Sequence, residues 1–131
     1  MSGPITALLI CVTGGLGATL RLVLDGMIRA LITWSYPVGT TVINLTGSFL
    51  LGLVAGLATS ELIPHQWQLV VSSGFLGGYT TFSTASFETV RLIEDRRYVA
   101  AALNGLGMLL ICTIAAALGF VAALPIKLPM N

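Results

Sequence analysis

Four long stretches of this 131-residue chain contain no Asp, Glu, Lys or Arg, and this pattern limits the fold more than any other feature. The stretches are residues 1–20, 30–60, 62–87 and 98–126. Each reaches the roughly 20 residues that an α-helix needs to cross a bilayer. Only 8% of the residues are charged, against roughly 25% in a typical soluble domain. We therefore predict an all-α membrane protein with a single domain over residues 1–131. Its four transmembrane helices are expected near residues 4–24, 38–58, 67–92 and 98–124.

The third stretch contains residues that disfavour a continuous helix. Residues 74–88 read GFLGGYTTFSTASFE. Each glycine costs roughly 1 kcal/mol relative to alanine in a helix, and Thr80 and Thr81 can hydrogen-bond to competing backbone groups. We predict a break in the third helix within residues 77–83. Released carbonyls at membrane depth would suit a cation, and released N–H groups and hydroxyls would suit an anion. The alternative is a kink that serves packing alone.

The second helix is predicted to carry a polar face. Thr40, Asn44 and Ser48 are spaced by four residues, so they share one side of a helix. They either line a polar pathway or form hydrogen bonds between helices, since an unpaired amide is costly in hydrocarbon.

Phe82 lies inside the polar part of the third stretch. Its ring edge could contact a small anion, although packing is the commoner role of such a residue.

The charged residues are confined to the ends of the predicted helices. Arg21 and Asp25 are four residues apart, so they either form a local ion pair or contribute to an electropositive vestibule that attracts anions. Glu88 is expected to anchor the third helix at the aqueous face. Five arginines lie on the face of the first and third loops and only Lys127 on the other, which predicts that these two loops are cytoplasmic. The five are Arg21, Arg29, Arg91, Arg96 and Arg97.

Recurrent small residues predict close helix contacts, because helices in lipid associate through packing and not through the hydrophobic effect. Four short helices bury little surface among themselves, so we expect an oligomer. The glycines concerned are Gly15, Gly47, Gly52, Gly56, Gly105 and Gly119.

Several classes of function are not expected. The sequence contains no nucleophile–base set and no phosphate-binding loop, so we do not expect an enzyme. Cys11 and Cys112 lack CxxC spacing or neighbouring histidines, which favours packing over a disulfide or a metal site. The net charge of +1 gives no general attraction to nucleic acid. We expect the first apolar stretch to be a membrane span and not a cleavable signal peptide, because it lacks a basic start.

Three motifs together resemble those of the Fluc/CrcB family of fluoride channels. They are GFLGGYTTFST in the third span, GTTVINL at residues 39–45 and GATLR at residues 17–21. The resemblance covers nearly the whole chain and extends to its four-span length. It implies a multi-pass protein of the inner (plasma) membrane that lets fluoride leave the cell passively and so reduces cytoplasmic fluoride toxicity.

The resemblance also implies an assembly and a set of site residues. Members of the family form dual-topology dimers of antiparallel subunits, homodimers or related heterodimers, with two fluoride pathways along the interface. The broken third helices cross at the centre and hold a structural sodium ion through the backbone carbonyls of Gly77 and Thr80. Asn44 and the ring edge of Phe82 are implied to contact fluoride. The further pathway candidates are Thr40, Ser48, Thr81, Ser83 and Asn104, with Arg21 in the vestibule.

The sequence departs from the family pattern at several pathway positions. Ala85 replaces a second phenylalanine, Phe87 is two residues too late to share its face, and Met108 and Cys112 replace hydroxyl residues. Asn104 and Thr113 remain as polar candidates in the fourth span. The open alternatives are a heterodimer subunit with a degenerate pore and a structural role, or a small four-helix multidrug exporter. Such a proton-coupled exporter needs an acid in its first span, and residues 1–24 contain none.

Overall fold

Every element of regular structure within residues 2–124, which the computed structural model describes, is helical. The elements are α1 (Gly3–Leu31), α2 (Val38–Thr59), α3 (residues 65–79), α4 (Phe82–Glu94) and α5 (Tyr98–Ala123). By length and composition, three helices in this part of the chain can cross a membrane, namely α1, α2 and α5. The predicted all-helical fold is confirmed here. The predicted third span corresponds to α3 and α4, neither of which reaches that length alone.

Helix α1 is longer than the sequence suggested. A proline in its first turn starts the helix, where a missing N–H costs nothing. The helix continues past residue 24 to Leu31, and Arg29 in its last turn pairs with Asp25 one turn earlier at 2.8 Å. Of the two alternatives for Arg21, the local ion pair with Asp25 is not among the salt bridges of residues 2–124. Residues 1–24 contain no acid, as the argument against a proton-coupled exporter requires. Helix α1 as a whole does contain one, Asp25, which is paired with Arg29.

Helices α2 and α5 make the most extensive contact in the fold, and glycines allow it. A Cβ on Gly52 would collide with the backbone of Ala116, and one on Gly119 would collide with the backbone of Phe49. This close approach agrees with the expected role of small residues at helix interfaces. Gly15 is different, since nothing lies within 4 Å of the position its Cβ would take.

Helix α3 changes its winding before it ends. It is α-helical over His65–Leu69, π-helical over Val70–Leu76 and α-helical again over Gly77–Tyr79. Thr80 and Thr81 then adopt extended backbone conformations, with φ/ψ of −77°/160° and −146°/117°. Helix α5 also contains a π-helical segment, Leu103–Gly107. Such π segments occur often at functional sites.

The loop between α1 and α2 and the loop between α4 and α5 lie at the same end of the molecule. Arg97 of the second of these loops donates to the backbone carbonyl of Ser35 in the first at 2.6 Å. Arg29 of α1 also pairs with Glu88 of α4 at 2.9 Å. These contacts hold the end of α4 against α1. Lys127, which enters the predicted charge asymmetry, lies outside the described residues.

Candidate ion-permeation site

A cleft of about 280 Å³ opens beside the two extended threonines, between α2, α4 and α5. Five of the predicted pathway residues line it together with Thr80: Asn44, Ser48, Thr81, Phe82 and Asn104. The departures from the family pattern, Ala85, Met108 and Cys112, line it as well. Sequence reasoning did not identify the remaining lining residues, Leu51, Ser86, Thr89, Gly105 and Leu109. None of the lining residues is charged, so the cleft offers dipoles and no fixed ion.

Four predicted site residues do not line this cleft, namely Gly77, Ser83, Thr40 and Arg21. Ser83 is exposed, with its Oγ 3.5 Å from the Oγ1 of Thr81. Thr40 and Arg21 border a second, smaller pocket of about 60 Å³. Thr81 lines both pockets, so this residue stands between the cleft and the Arg21 side of the molecule. Thr113 is exposed and donates to its own helix at Leu109.

Asn44 binds both backbone groups of Thr81. Its Nδ2 donates to the Thr81 carbonyl at 2.9 Å, and its Oδ1 accepts from the Thr81 N–H at 2.8 Å. Nδ2 also lies 3.2 Å from the Sδ of Met108. A side-chain amide carries the same donor and acceptor as a peptide group, so it can satisfy a residue that has left the helical ladder. The hydrogen-bonding role considered for Asn44 is therefore present in the structure.

The end of α3 leaves its last carbonyls without helical hydrogen bonds, and those of Gly77 and Thr80 are among them. In a continuous helix the N–H of Thr81 would pair with the Gly77 carbonyl, and that of Thr84 with the Thr80 carbonyl. Here the Thr81 N–H goes to Asn44, and the Thr84 N–H donates to the Oγ1 of Thr81 at 3.2 Å. Both carbonyls implied as sodium ligands thus lose their usual partners.

Backbone carbonyl oxygens are the kind of ligand that a hard cation prefers, so the chemistry of these two groups suits the implied sodium ion. The guanidinium of Arg21 approaches the Thr80 carbonyl at 3.4 Å. This contact is long for a hydrogen bond and leaves a lone pair of the oxygen available. In residues 2–124 there is no group of three or more His, Cys, Asp or Glu side chains that could hold a metal.

Asn104 is buried in the wall of the cleft, with 1% of its surface exposed. Its Nδ2 donates to the Ala85 carbonyl at 3.0 Å and to the Oγ1 of Thr89 at 2.9 Å. Its Oδ1 is buried without a hydrogen-bond partner. The amide donors of Asn104 thus serve the contact between α4 and α5.

The aromatic residues of α4 face outward. Phe82 is 87% exposed although it borders the cleft. Phe87 is also exposed, and the guanidinium of Arg91 lies 5.7 Å from its ring centre. Ala85 is buried. A single chain therefore leaves one side of the cleft, and the Phe82 ring, uncovered.

A charged network lies at the end of the molecule where the first and third loops meet. Thr40 donates to the Oε1 of Glu88 at 2.9 Å, and Arg29 binds both Glu88 and Asp25. Asp25 Oδ1 and Glu88 Oε2 are buried without partners. Glu88 thus ties α4 to α1 and α2. This network could not be predicted from local spacing, because Glu88 is 59 residues from Arg29 and 48 from Thr40 along the chain.

Together these features define a helical membrane protein with an uncharged, mainly apolar cleft that contains hydroxyl and amide groups beside an irregular backbone segment. Residues 8–120 match the family model described as CrcB-like protein, Camphor Resistance (CrcB). The chain belongs to this family, and it is a multi-pass protein of the cell membrane.

Similar proteins cover most of the chain. The Fluoride-specific ion channel FluC 1 of Leifsonia xyli subsp. xyli is 53% identical over 116 residues, which are 88% of this chain and 85% of that protein. The Fluoride-specific ion channel FluC 3 of Bifidobacterium longum is 43% identical, over 86% and 93% of the two chains. The Fluoride-specific ion channel FluC of Geobacter metallireducens is 39% identical, over 91% and 97%. The predicted family membership is confirmed.

Proposed function

We propose that this chain is the subunit of a fluoride channel through which fluoride leaves the cell passively. The observation that carries the proposal is the uncharged cleft, mainly apolar but with hydroxyl and amide groups in its wall, beside the extended Thr80 and Thr81. The family and the names of its relatives support fluoride as the ion.

The chemistry of the cleft suits a strongly hydrated anion that must be partly dehydrated. Ser48, Thr81 and Ser86 supply hydroxyls along its wall, and the exposed ring of Phe82 supplies a positive edge. A lysine or arginine in the cleft would hold the ion too tightly, because conduction requires sites that are weak and multiple. The remaining proposed pathway residues are Asn44, Thr40, Ser83 and Asn104, with Arg21 at the vestibule.

The functional unit in this proposal is an antiparallel, dual-topology dimer. Phe82 and the open side of the cleft are exposed in one chain, and a second subunit would cover them. Helices α3 and α4 then act as one broken membrane span, and the carbonyls of Gly77 and Thr80 from both subunits would surround a sodium ion. When bound, sodium would supply a fixed positive charge at the centre of the dimer.

The direct test is fluoride efflux from liposomes that contain the purified chain, measured with a fluoride electrode. Wild-type protein should release fluoride and retain chloride. Phe82→Leu, which keeps apolar volume but removes the ring edge, should slow fluoride release by at least about tenfold, a loss equivalent to about 1.4 kcal/mol. Phe87→Leu is the matched control on the same helix and should behave as wild type. Folded wild-type protein that releases no fluoride, alone or with a related chain, would contradict the proposal.

A heterodimer subunit with a degenerate pore is the second candidate function. It is favoured by Ala85 and by Met108, whose sulfur lies 3.2 Å from the amide of Asn44 where a hydroxyl is expected. A chain of this kind would conduct only after assembly with a related partner. Ordinary family rates from the chain alone would exclude it.

A further inference from the structure

We infer that Asn44 and Thr81 are positioning residues for the proposed cation site. Asn44 holds the Thr81 N–H away from the Gly77 carbonyl, and Thr81 holds the Thr84 N–H away from the Thr80 carbonyl. The inference rests on the proposed function for the identity of the cation. It differs from a role in contacting fluoride, because it assigns the Asn44 amide and the Thr81 hydroxyl to the backbone of the interruption.

The geometry assigns one carbonyl to each side chain. Gly77 would accept from the Thr81 N–H in a continuous helix, but Asn44 Oδ1 takes that N–H at 2.8 Å. Thr80 would accept from the Thr84 N–H, but Thr81 Oγ1 takes that one at 3.2 Å. The Thr80 N–H bonds to the Leu76 carbonyl at 2.9 Å, so it does not close on Gly77 either.

Asn44 also fixes the conformation of the residue it binds. Its Nδ2 donates to the Thr81 carbonyl at 2.9 Å, so the two residues form a reciprocal pair like that between neighbouring strands. An extended Thr81 is required for this pair, and its backbone angles are φ −146° and ψ 117°. Removal of the amide would leave both Thr81 groups unpaired and favour their return to helical partners.

Thr81 acts as the N-cap of α4. Its hydroxyl accepts the Thr84 N–H, as the N-cap of a helix commonly does. It also lies 3.0 Å from the hydroxyl of Thr84. Serine would preserve this cap, whereas valine keeps the shape and removes the oxygen. The pair Thr81→Ser and Thr81→Val therefore separates the hydroxyl from the volume of the side chain.

The test is the sodium dependence of thermal unfolding for the purified full-length chain. Protein prepared without sodium is titrated with sodium chloride, and choline chloride provides the ionic-strength control. A ligand that binds only the folded protein raises its melting temperature, so wild-type protein should be stabilised by sodium beyond the effect of choline. Thr81→Val and Asn44→Leu should need about tenfold more sodium for the same increment.

Two controls separate this role from general damage. Thr81→Ser should keep the wild-type sodium response, and so should Asn104→Leu, which also removes a buried amide but leaves both carbonyls unchanged. Because each variant is compared with itself in choline, a lower starting stability does not affect the result. A wild-type response in Thr81→Val and Asn44→Leu, or no sodium response in wild type, would overturn the inference.

Fluoride efflux is measured on the same preparations, so that a failure of the sodium inference can be told apart from a failure of the proposed function. Wild-type protein that releases fluoride without any sodium stabilisation contradicts the inference alone. Wild-type protein that is stabilised by sodium but never conducts fluoride contradicts the proposed function alone.

Discussion

Thr40 is 1% exposed and donates to Glu88 Oε1, which also receives a hydrogen bond from Arg29. Threonines in membrane helices often bond only to their own helix, as Thr19 does at Gly15. At the scale of single residues, the polar groups that matter most here are those that bond between helices. Losing such a group leaves a buried partner unsatisfied.

Thr40→Val should therefore destabilise the protein, because valine matches the shape of threonine but leaves Glu88 one donor short. The expected loss is about 1–3 kcal/mol of unfolding free energy, measured by thermal or denaturant unfolding in detergent. Thr19→Val, at an exposed site, should stay within about 0.5 kcal/mol of wild type. Equal effects of the two substitutions would show that the Glu88 contact adds nothing.

At the scale of elements, α1 and α3 cross closely at the point where α3 ends. Gly78 lies so close to Gly14 that a Cβ on it would collide with the Gly14 backbone, and a Cβ on Gly17 would collide with the Phe75 carbonyl. Gly47 on α2 leaves room in the same way for the side chains of Tyr79 and Thr80. Glycines on three helices thus bring the end of α3 into the centre of the fold.

Gly78→Ala should push α1 and α3 apart, because the added methyl meets backbone and not a flexible side chain. The expected cost is about 1–3 kcal/mol, read from the melting temperature of the purified protein. Gly15→Ala on α1 meets open space and should be neutral or stabilising by up to about 1 kcal/mol. Unchanged stability of Gly78→Ala would mean that this crossing is looser than the structure indicates.

At the scale of the whole molecule, the first and third loops share one end, and Arg29, Arg91, Arg96 and Arg97 lie towards that end, whereas Arg21 lies inside α1 beside Thr80. The positive-inside rule then favours one orientation for this chain. A chain that inserts in one orientation needs a different chain as its antiparallel partner. The orientation therefore bears on whether the proposed dimer contains one kind of subunit or two.

Labelling of single cysteines in intact cells measures this orientation. In a background where Cys11 and Cys112 are replaced by alanine, His65→Cys should react with a membrane-impermeant maleimide and Ser35→Cys should be protected. Both positions are exposed at opposite ends of α2, Ser35 in the loop before it and His65 at the start of α3. Partial labelling at both positions would instead indicate insertion in two orientations, and the arginine asymmetry would then not decide the topology.

Much of the fold followed from where charges are absent. The expected spans near 38–58 and 98–124 agree with Val38–Thr59 and Tyr98–Ala123, because a helix that buries its own backbone groups is the simplest way to cross lipid. The first span was predicted to end near residue 24, whereas α1 continues to Leu31 with Asp25 and Arg29 paired along it. The grouping of Asn44, Ser48, Thr81, Phe82 and Asn104 in one cleft could be predicted only in part, from helical spacing and the resemblance.

The sequence by itself determined the helical class, the family and the residue types at the site, because these depend on composition, periodicity and local motifs. The tertiary structure alone decided the partners of the buried polar groups, such as Asn44 with Thr81 and Thr40 with Glu88. The physical reason is that a buried donor in a membrane helix must find an acceptor within about 3 Å, and most of those acceptors lie on other helices. Their positions depend on how closely the glycines allow the helices to approach.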